Sequence, residues 1–154
     1  MKFKILHKCK TDMKKLVLTS VLLALVVIIL GAYTRLADAG LGCPDWPGCY
    51  GNLVVPSQPD KVNAAEQAYP ERPLEAYKAW LEMVHRYFAG MLGLLILAIA
   101  IMSVRKRFGA FEHGNAPFKL PLLILALVVG QAALGMWTVT MNLMPVIVMG
   151  HLLG

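Results

Sequence analysis

Apolar residues in this chain gather in four long runs, separated by polar or turn-rich stretches. The first run extends from Leu16 to Tyr33 and the second from Leu81 to Val104. The third covers Phe118 to Val139, with Pro121 tolerated in its first helical turn. The fourth starts at Pro145 and stops at Gly154. A soluble domain spreads its apolar residues at helical or strand period instead of in unbroken blocks. About 20 helical residues are needed to cross the hydrocarbon core of a bilayer. The first three runs are close to that length, and the fourth covers only about half the distance. The pattern predicts an all-α membrane protein, a four-helix transmembrane bundle with helices over 16–33, 81–104, 118–139 and 145–154. The fourth helix reads as the start of a longer one, so a truncated chain is expected in preference to a re-entrant segment.

Lysine and arginine orient these helices. Six lysines stand in the first 15 residues, and Arg105, Lys106 and Arg107 form a second cluster. Residues 34–80 carry four basic and six acidic side chains. The positive-inside rule places residues 1–15 and the 105–119 loop in the cytoplasm, and the 34–80 loop outside. A basic start before an apolar run also suggests a signal peptide. The run is longer than a signal core, however, and Ala37-Asp38-Ala39 is only a poor cleavage site, so a retained helix is expected. The net charge of +6 brings nucleic acid to mind. Basic clusters flanking apolar runs are topology signals first, and no stacking aromatics or binding motif supports nucleic-acid binding. The 58% hydrophobic content fits the membrane class. In the outer loop, Pro44, Pro47, Pro56, Pro59, Pro70 and Pro73, with Gly40, Gly42, Gly48 and Gly51, indicate turns instead of a strand or a long helix. Leu74 to Trp80 suits a helical turn leading into the second run. No internal repeat is evident.

Three features can carry chemistry. Cys43 and Cys49 lie in the outer loop with two prolines and a glycine between them. A disulfide is chemically allowed on the outer face of a bacterial inner membrane. It is either a redox-active pair or a structural staple, and the staple is favoured: nothing adjacent lowers a thiol pKa, and the loop is too small for its own core. Cys9, on the cytoplasmic side, is expected to be a free thiol. The second feature is Glu82-Met83-Val84-His85-Arg86. Residues three apart share a helix face, so Glu82 and His85 point the same way. Ionisable groups are costly inside a membrane and mark function by default. Arg86 equally suits snorkelling to the interface. The third feature is His151, about two turns into the fourth run. His85 and His151 thus lie at similar depth on two helices, an arrangement that suits bis-imidazole ligation of a haem iron. Ala89, Gly90, Gly93, Gly130, Ala132, Ala133 and Gly135 allow close packing, around a cofactor or simply between helices. Trp137 reads as an interfacial anchor, and Met136, Met141, Met144 and Met149 as apolar filler.

These stretches resemble one known family. Gly31-Ala32-Tyr33-Thr34-Arg35-Leu36, Gly40 through Cys49, Glu82 through Arg86, Gln131 through Val139 and His151 together resemble the haem A synthases, from about residue 16 to the end. The resemblance implies eight transmembrane helices in two similar halves, with this chain as the first, haem-binding half over 16–154. It implies oxidation of a methyl group of haem O to a formyl group, with water as the oxygen source. His85 and His151 become axial ligands of the site receiving haem O, and Glu82 the catalytic carboxylate, acting as base or cation stabiliser. Cys43 and Cys49 match an outer pair that can form a disulfide. Arg86 and Arg35 are candidate propionate partners. Haem b is expected in the second half. The expected partners are lipid, haem O, a haem O synthase and a second copy of the chain. Rival readings are a bis-histidine cytochrome exchanging electrons with quinone, a quinone-linked thiol oxidoreductase, disfavoured because a second cysteine pair is missing, and a non-catalytic oxidase assembly factor.

Overall fold

A computed structural model describes residues 2–108 and 117–153, with side chains from Asp12 onward. The Cys9 side chain and the middle of the 105–119 loop lie outside these described residues. Five helices follow in order: α1 (Lys2–Leu36), α2 (Pro59–Ala68), α3 (Ala76–Phe108), α4 (Lys119–Thr140) and α5 (Pro145–Leu153). No strand occurs among the described residues, only an isolated bridge between Cys49 and Asn52. Three helices are long and apolar enough to cross a membrane, over Asp12–Leu36, Ala76–Phe108 and Lys119–Thr140.

The helices extend past the apolar runs. Charged residues do not end a helix, because its backbone bonds are made internally whatever the side chain touches. α1 therefore continues back through the lysine-rich start, and α3 begins at Ala76, with Leu74 and Glu75 just before it. α2 departs from the expectation of turns alone. Pro59 occupies its first turn, where a missing N–H costs nothing, and Asp60 there complements the helix dipole.

α1 packs on α3, α3 on α4, and α4 on α5. Among the described residues α5 packs on neither α1 nor α3, so the helices form a row that does not close into a ring. Leu18, Leu22, Ile28, Leu94, Leu123 and Leu127 are exposed along the three long helices. In water such a surface promotes association, and in a bilayer it faces lipid.

A buried apolar core forms where the outer loop meets α3, consistent with a loop too small for a core of its own. Cys43, Cys49, Tyr50, Val55 and Ala65 are buried together with Ala79 and Met83 of α3, and Tyr69 and Leu74 pack against them. The loop borrows the outer face of α3 as its floor. Cys43 and Cys49 form a disulfide. Asp45 accepts the backbone N–H groups of Tyr50 at 2.6 Å and Gly51 at 2.8 Å. These bonds hold Tyr50 in the left-handed conformation, at φ 53°, which side chains other than glycine rarely adopt. The Tyr50 ring meets Tyr69 edge to face, and its hydroxyl donates to the Arg72 and Pro73 carbonyls. Burial pushes the Tyr50 phenol up from its ordinary pKa.

The turn between α4 and α5 is short, with Asn142 at φ 51° and Leu143 at φ 56°. The Leu143 amide donates to the Thr138 carbonyl at 2.8 Å. Arg72 donates to the Asn142 side chain, and Gly40 faces Leu143. The outer loop therefore rests on the α4–α5 turn as well as on α3.

Replacing Cys43 and Cys49 together by Ser should destabilise the outer loop by about 2 kcal/mol, the cost of opening a small ring. Protease cleavage between residues 50 and 72 of the detergent-solubilised chain should accelerate, while helix content measured by circular dichroism stays unchanged.

Candidate functional site

The outer half of α3 presents two faces to two different structures. Glu82 lies on the first face and is buried, with 4% of its surface exposed. Its Oε2 accepts the Cys43 backbone N–H at 2.9 Å, and its Oε1 accepts the Arg86 guanidinium one turn further along. Arg86 also donates to the carbonyls of Asp45, at 3.0 Å, Pro47 and Gly48. One planar guanidinium thus bridges a helix carboxylate and three loop carbonyls, a task that suits its fixed fork of donors. Gly42 makes the close seat sterically possible: a Cβ there would fall 2.5 Å from the Lys78 carbonyl carbon. Cys43, Cys49, Glu82 and Arg86 therefore form one assembly. Arg35 is exposed at the end of α1.

His85 turns to the other face, toward α1, which corrects the expectation that Glu82 and His85 point the same way: three residues leave an offset of about 60° around the helix, enough to send the two side chains to different neighbours. A Cβ added to Gly31 would meet the His85 ring at 2.9 Å (Cε1), 3.4 Å (Nδ1) and 3.5 Å (Nε2). His151 meets α4 in the same way. A Cβ at Gly135 would lie 3.1 Å from its Cε1, 3.4 Å from Nε2 and 3.8 Å from Nδ1. The Nδ1 atoms of both rings are buried without a well-formed hydrogen bond. A backbone carbonyl still bears on each ring, Val27 on His85 and Gln131 on His151. The helices that carry the two imidazoles, α3 and α5, do not pack directly on each other.

The two arrangements share a sequence pattern that the reading of the chain missed. Leu30-Gly31-Ala32-Tyr33-Thr34 of α1 matches Leu134-Gly135-Met136-Trp137-Thr138 of α4. Met83-Val84-His85 matches Met149-Gly150-His151. Val27 and Gln131 each precede their glycine by four residues, one turn along the same face. The repeat is masked because its halves are separated by a long loop in one copy and a short turn in the other. The signal that marks it is Leu-Gly-x-aromatic-Thr. Gly90 and Gly130, expected among close-packing residues, face open space instead.

The family model described as cytochrome oxidase assembly protein, COX15-CtaA, matches residues 14–154. The chain belongs to the COX15-CtaA family. Among curated proteins similar to it, one named Heme A synthase from Shewanella oneidensis is 56% identical over 130 residues, 84% of this chain and 37% of that protein. Another Heme A synthase, from Granulibacter bethesdensis, is 31% identical over 135 residues, 79% of this chain and 34% of that protein. A protein named Protoheme IX farnesyltransferase 1, from Natronomonas pharaonis, is 32% identical over 111 residues, 71% of this chain and 18% of that protein. This COX15-CtaA chain spans about a third of the length of the Heme A synthases it matches. No solved structure matches it.

Removing one partner of a buried ion pair leaves the other charge uncompensated. Arg86→Ala should therefore destabilise the seat of the loop by about 3 kcal/mol. Arg86→Lys should fall between wild type and Ala, because an ammonium cannot reach the carboxylate and the loop carbonyls in the same planar fork. Thermal unfolding of the purified chain in detergent ranks the three; equal midpoints for Arg86→Ala and wild type would remove the clamp from the account.

Proposed function

We propose that the chain is the N-terminal half of a haem A synthase, with His85 of α3 and His151 of α5 as axial ligands of one haem iron. The observation that carries this reading is the matched pair of imidazoles, each set against a glycine and each with a buried Nδ1 lacking a good hydrogen bond. Two imidazoles on helices that do not pack together, each ring backed by a neighbouring helix, fit a flat group inserted between them. The donor chemistry agrees, since imidazole is a standard axial ligand of haem iron and the porphyrin supplies the rest. Among the described residues no group of three or more His, Cys, Asp or Glu converges, which suits a haem better than a bare ion.

The proposed reaction is oxidation of a methyl group of haem O to a formyl group, giving haem A. It is supported by the names of the relatives and by family membership. A bound haem supplies redox chemistry that its axial ligands tune. The chain supplies position: α1 and α4 back the two histidines, and the seated loop covers the outer end of α3. Glu82, the candidate catalytic carboxylate, has both oxygens engaged by Arg86 and the Cys43 amide. That engagement supports a positioning role over proton acceptance. Arg86 is occupied in the same way, which leaves Arg35 as the candidate propionate partner. The haem b cofactor belongs to the remaining length of the protein. The name of the Natronomonas relative describes farnesyl transfer to protohaem, the class of reaction that supplies a farnesylated haem; a haem O synthase is accordingly the proposed donor partner.

The same reading puts the chain in a bacterial inner membrane with its N-terminus in the cytoplasm and the loop outside. The disulfide supports this orientation, because disulfides persist on the oxidising side.

Membranes carrying the chain should give a reduced-minus-oxidised haem spectrum of low-spin type. His85→Ala and His151→Ala should each abolish the low-spin signature. A wild-type chain without haem, or single variants with an unaltered spectrum, would refute the ligand assignment. In the full-length enzyme, undiminished turnover of Glu82→Gln with the spectrum intact would favour an electron-carrying cytochrome.

A further inference from the structure

We propose that Gly31 and Gly135 are equivalent positioning residues, each fixing the orientation of one histidine ring from the neighbouring helix. The inference rests on the proposed haem ligation and extends it to residues that touch no haem atom.

First, the ring corner nearest each glycine is the same atom, Cε1, at 2.9 Å and 3.1 Å from the built Cβ positions. Cε1 lies between the two ring nitrogens, so pushing it aside redirects both. Second, both contacts are tight but not equally so: a real Cβ at Gly31 forces something to move, and one at Gly135 requires the His151 ring to give by a few tenths of an ångström. Only glycine lets the His85 ring lie where it does, and glycine lets the His151 ring lie there without adjustment. Third, the construction occurs twice. In each copy a leucine precedes the glycine, a threonine follows three residues later, and the carbonyl bearing on the ring is four residues earlier.

Both threonines use their hydroxyls on their own helix. Thr34 donates to the Leu30 carbonyl at 2.9 Å and Thr138 to the Gly135 carbonyl at 2.7 Å. The glycine face is thus left to the imidazole. Groups that orient an axial ligand are known to change cofactor affinity by roughly 10- to 100-fold. A steric backstop belongs with them, because it restricts the ring rotation that a loosely held histidine otherwise samples.

The test compares Gly31→Ala and Gly135→Ala with Gly90→Ala and Gly130→Ala in the full chain, expressed in membranes. An added methyl meets nothing within 4 Å at Gly90 or Gly130, so these report what an alanine alone does to α3 and α4. The readouts are haem retained per chain on dilution and the ferric low-spin electron paramagnetic resonance signal. Gly31→Ala and Gly135→Ala are expected to shift or broaden that signal and to weaken haem retention roughly tenfold. The Gly90 and Gly130 variants should match wild type. If wild type itself shows no low-spin haem, the ligand reading fails and the positioning role with it. If wild type shows the signal and all four variants retain it unchanged, only the positioning role is overturned. Failure of Gly31→Ala and Gly135→Ala to accumulate, while the other two accumulate, would assign the glycines to helix packing and likewise overturn it.

Discussion

The carboxylate of Glu82 sits where a membrane helix meets a loop that has too few residues to fold unaided. It is almost fully buried, and it accepts from Arg86 on its own helix and from the Cys43 amide of the loop. A buried charge without partners is expensive, and a buried pair breaks even only when its remaining valences are filled. Here they are filled by loop carbonyls on the arginine and a loop amide on the carboxylate. The loop therefore stabilises the ion pair as much as the ion pair holds the loop. The disulfide core, the Tyr50 corner and the contact of Gly40 with Leu143 all follow from that seating.

Much of the fold was legible because the bilayer imposes a simple rule. Backbone groups in hydrocarbon must be satisfied internally, so a long apolar run becomes a helix. Leu16 to Tyr33, Leu81 to Val104 and Phe118 to Val139 obeyed it. Helix ends were less legible where charge replaces apolar signal, as with the lysines at one end of α1 that continue the helix; the start of α3 was better marked, since Leu74 to Trp80 suits a helical turn. α2 was hidden by Pro59, which reads as a turn until its place in a first turn is known. The chemistry-bearing residues stood out by type: Cys43, Cys49, Glu82, His85, Arg86 and His151. Their partners did not. That Arg86 reaches loop carbonyls 38 to 41 residues away follows from tertiary folding, which local spacing does not encode. Gly31 and Gly135 carry no side chain to attract notice, and their role appears only when a ring is found against them.

The repeated helix pair gives the row of helices its logic. In each copy, one long helix offers a glycine and the next offers a histidine. α3 and α5 do not pack directly, so their separation is set through α4 instead of through mutual contact. Each ring lies against a helix other than its own, His85 against α1 and His151 against α4.

The burial of the disulfide has a consequence for the order of biogenesis. Cys43 and Cys49 are both wholly shielded once the loop is seated on α3. The ring they close is local, requiring nothing from later in the chain, whereas the seat requires Glu82 and Arg86. An oxidant acting on these thiols must therefore find them early, while the emerging loop is still lifted from its floor. Seating then hides the bond from reductants as well, so that docking acts as a ratchet on a step already completed.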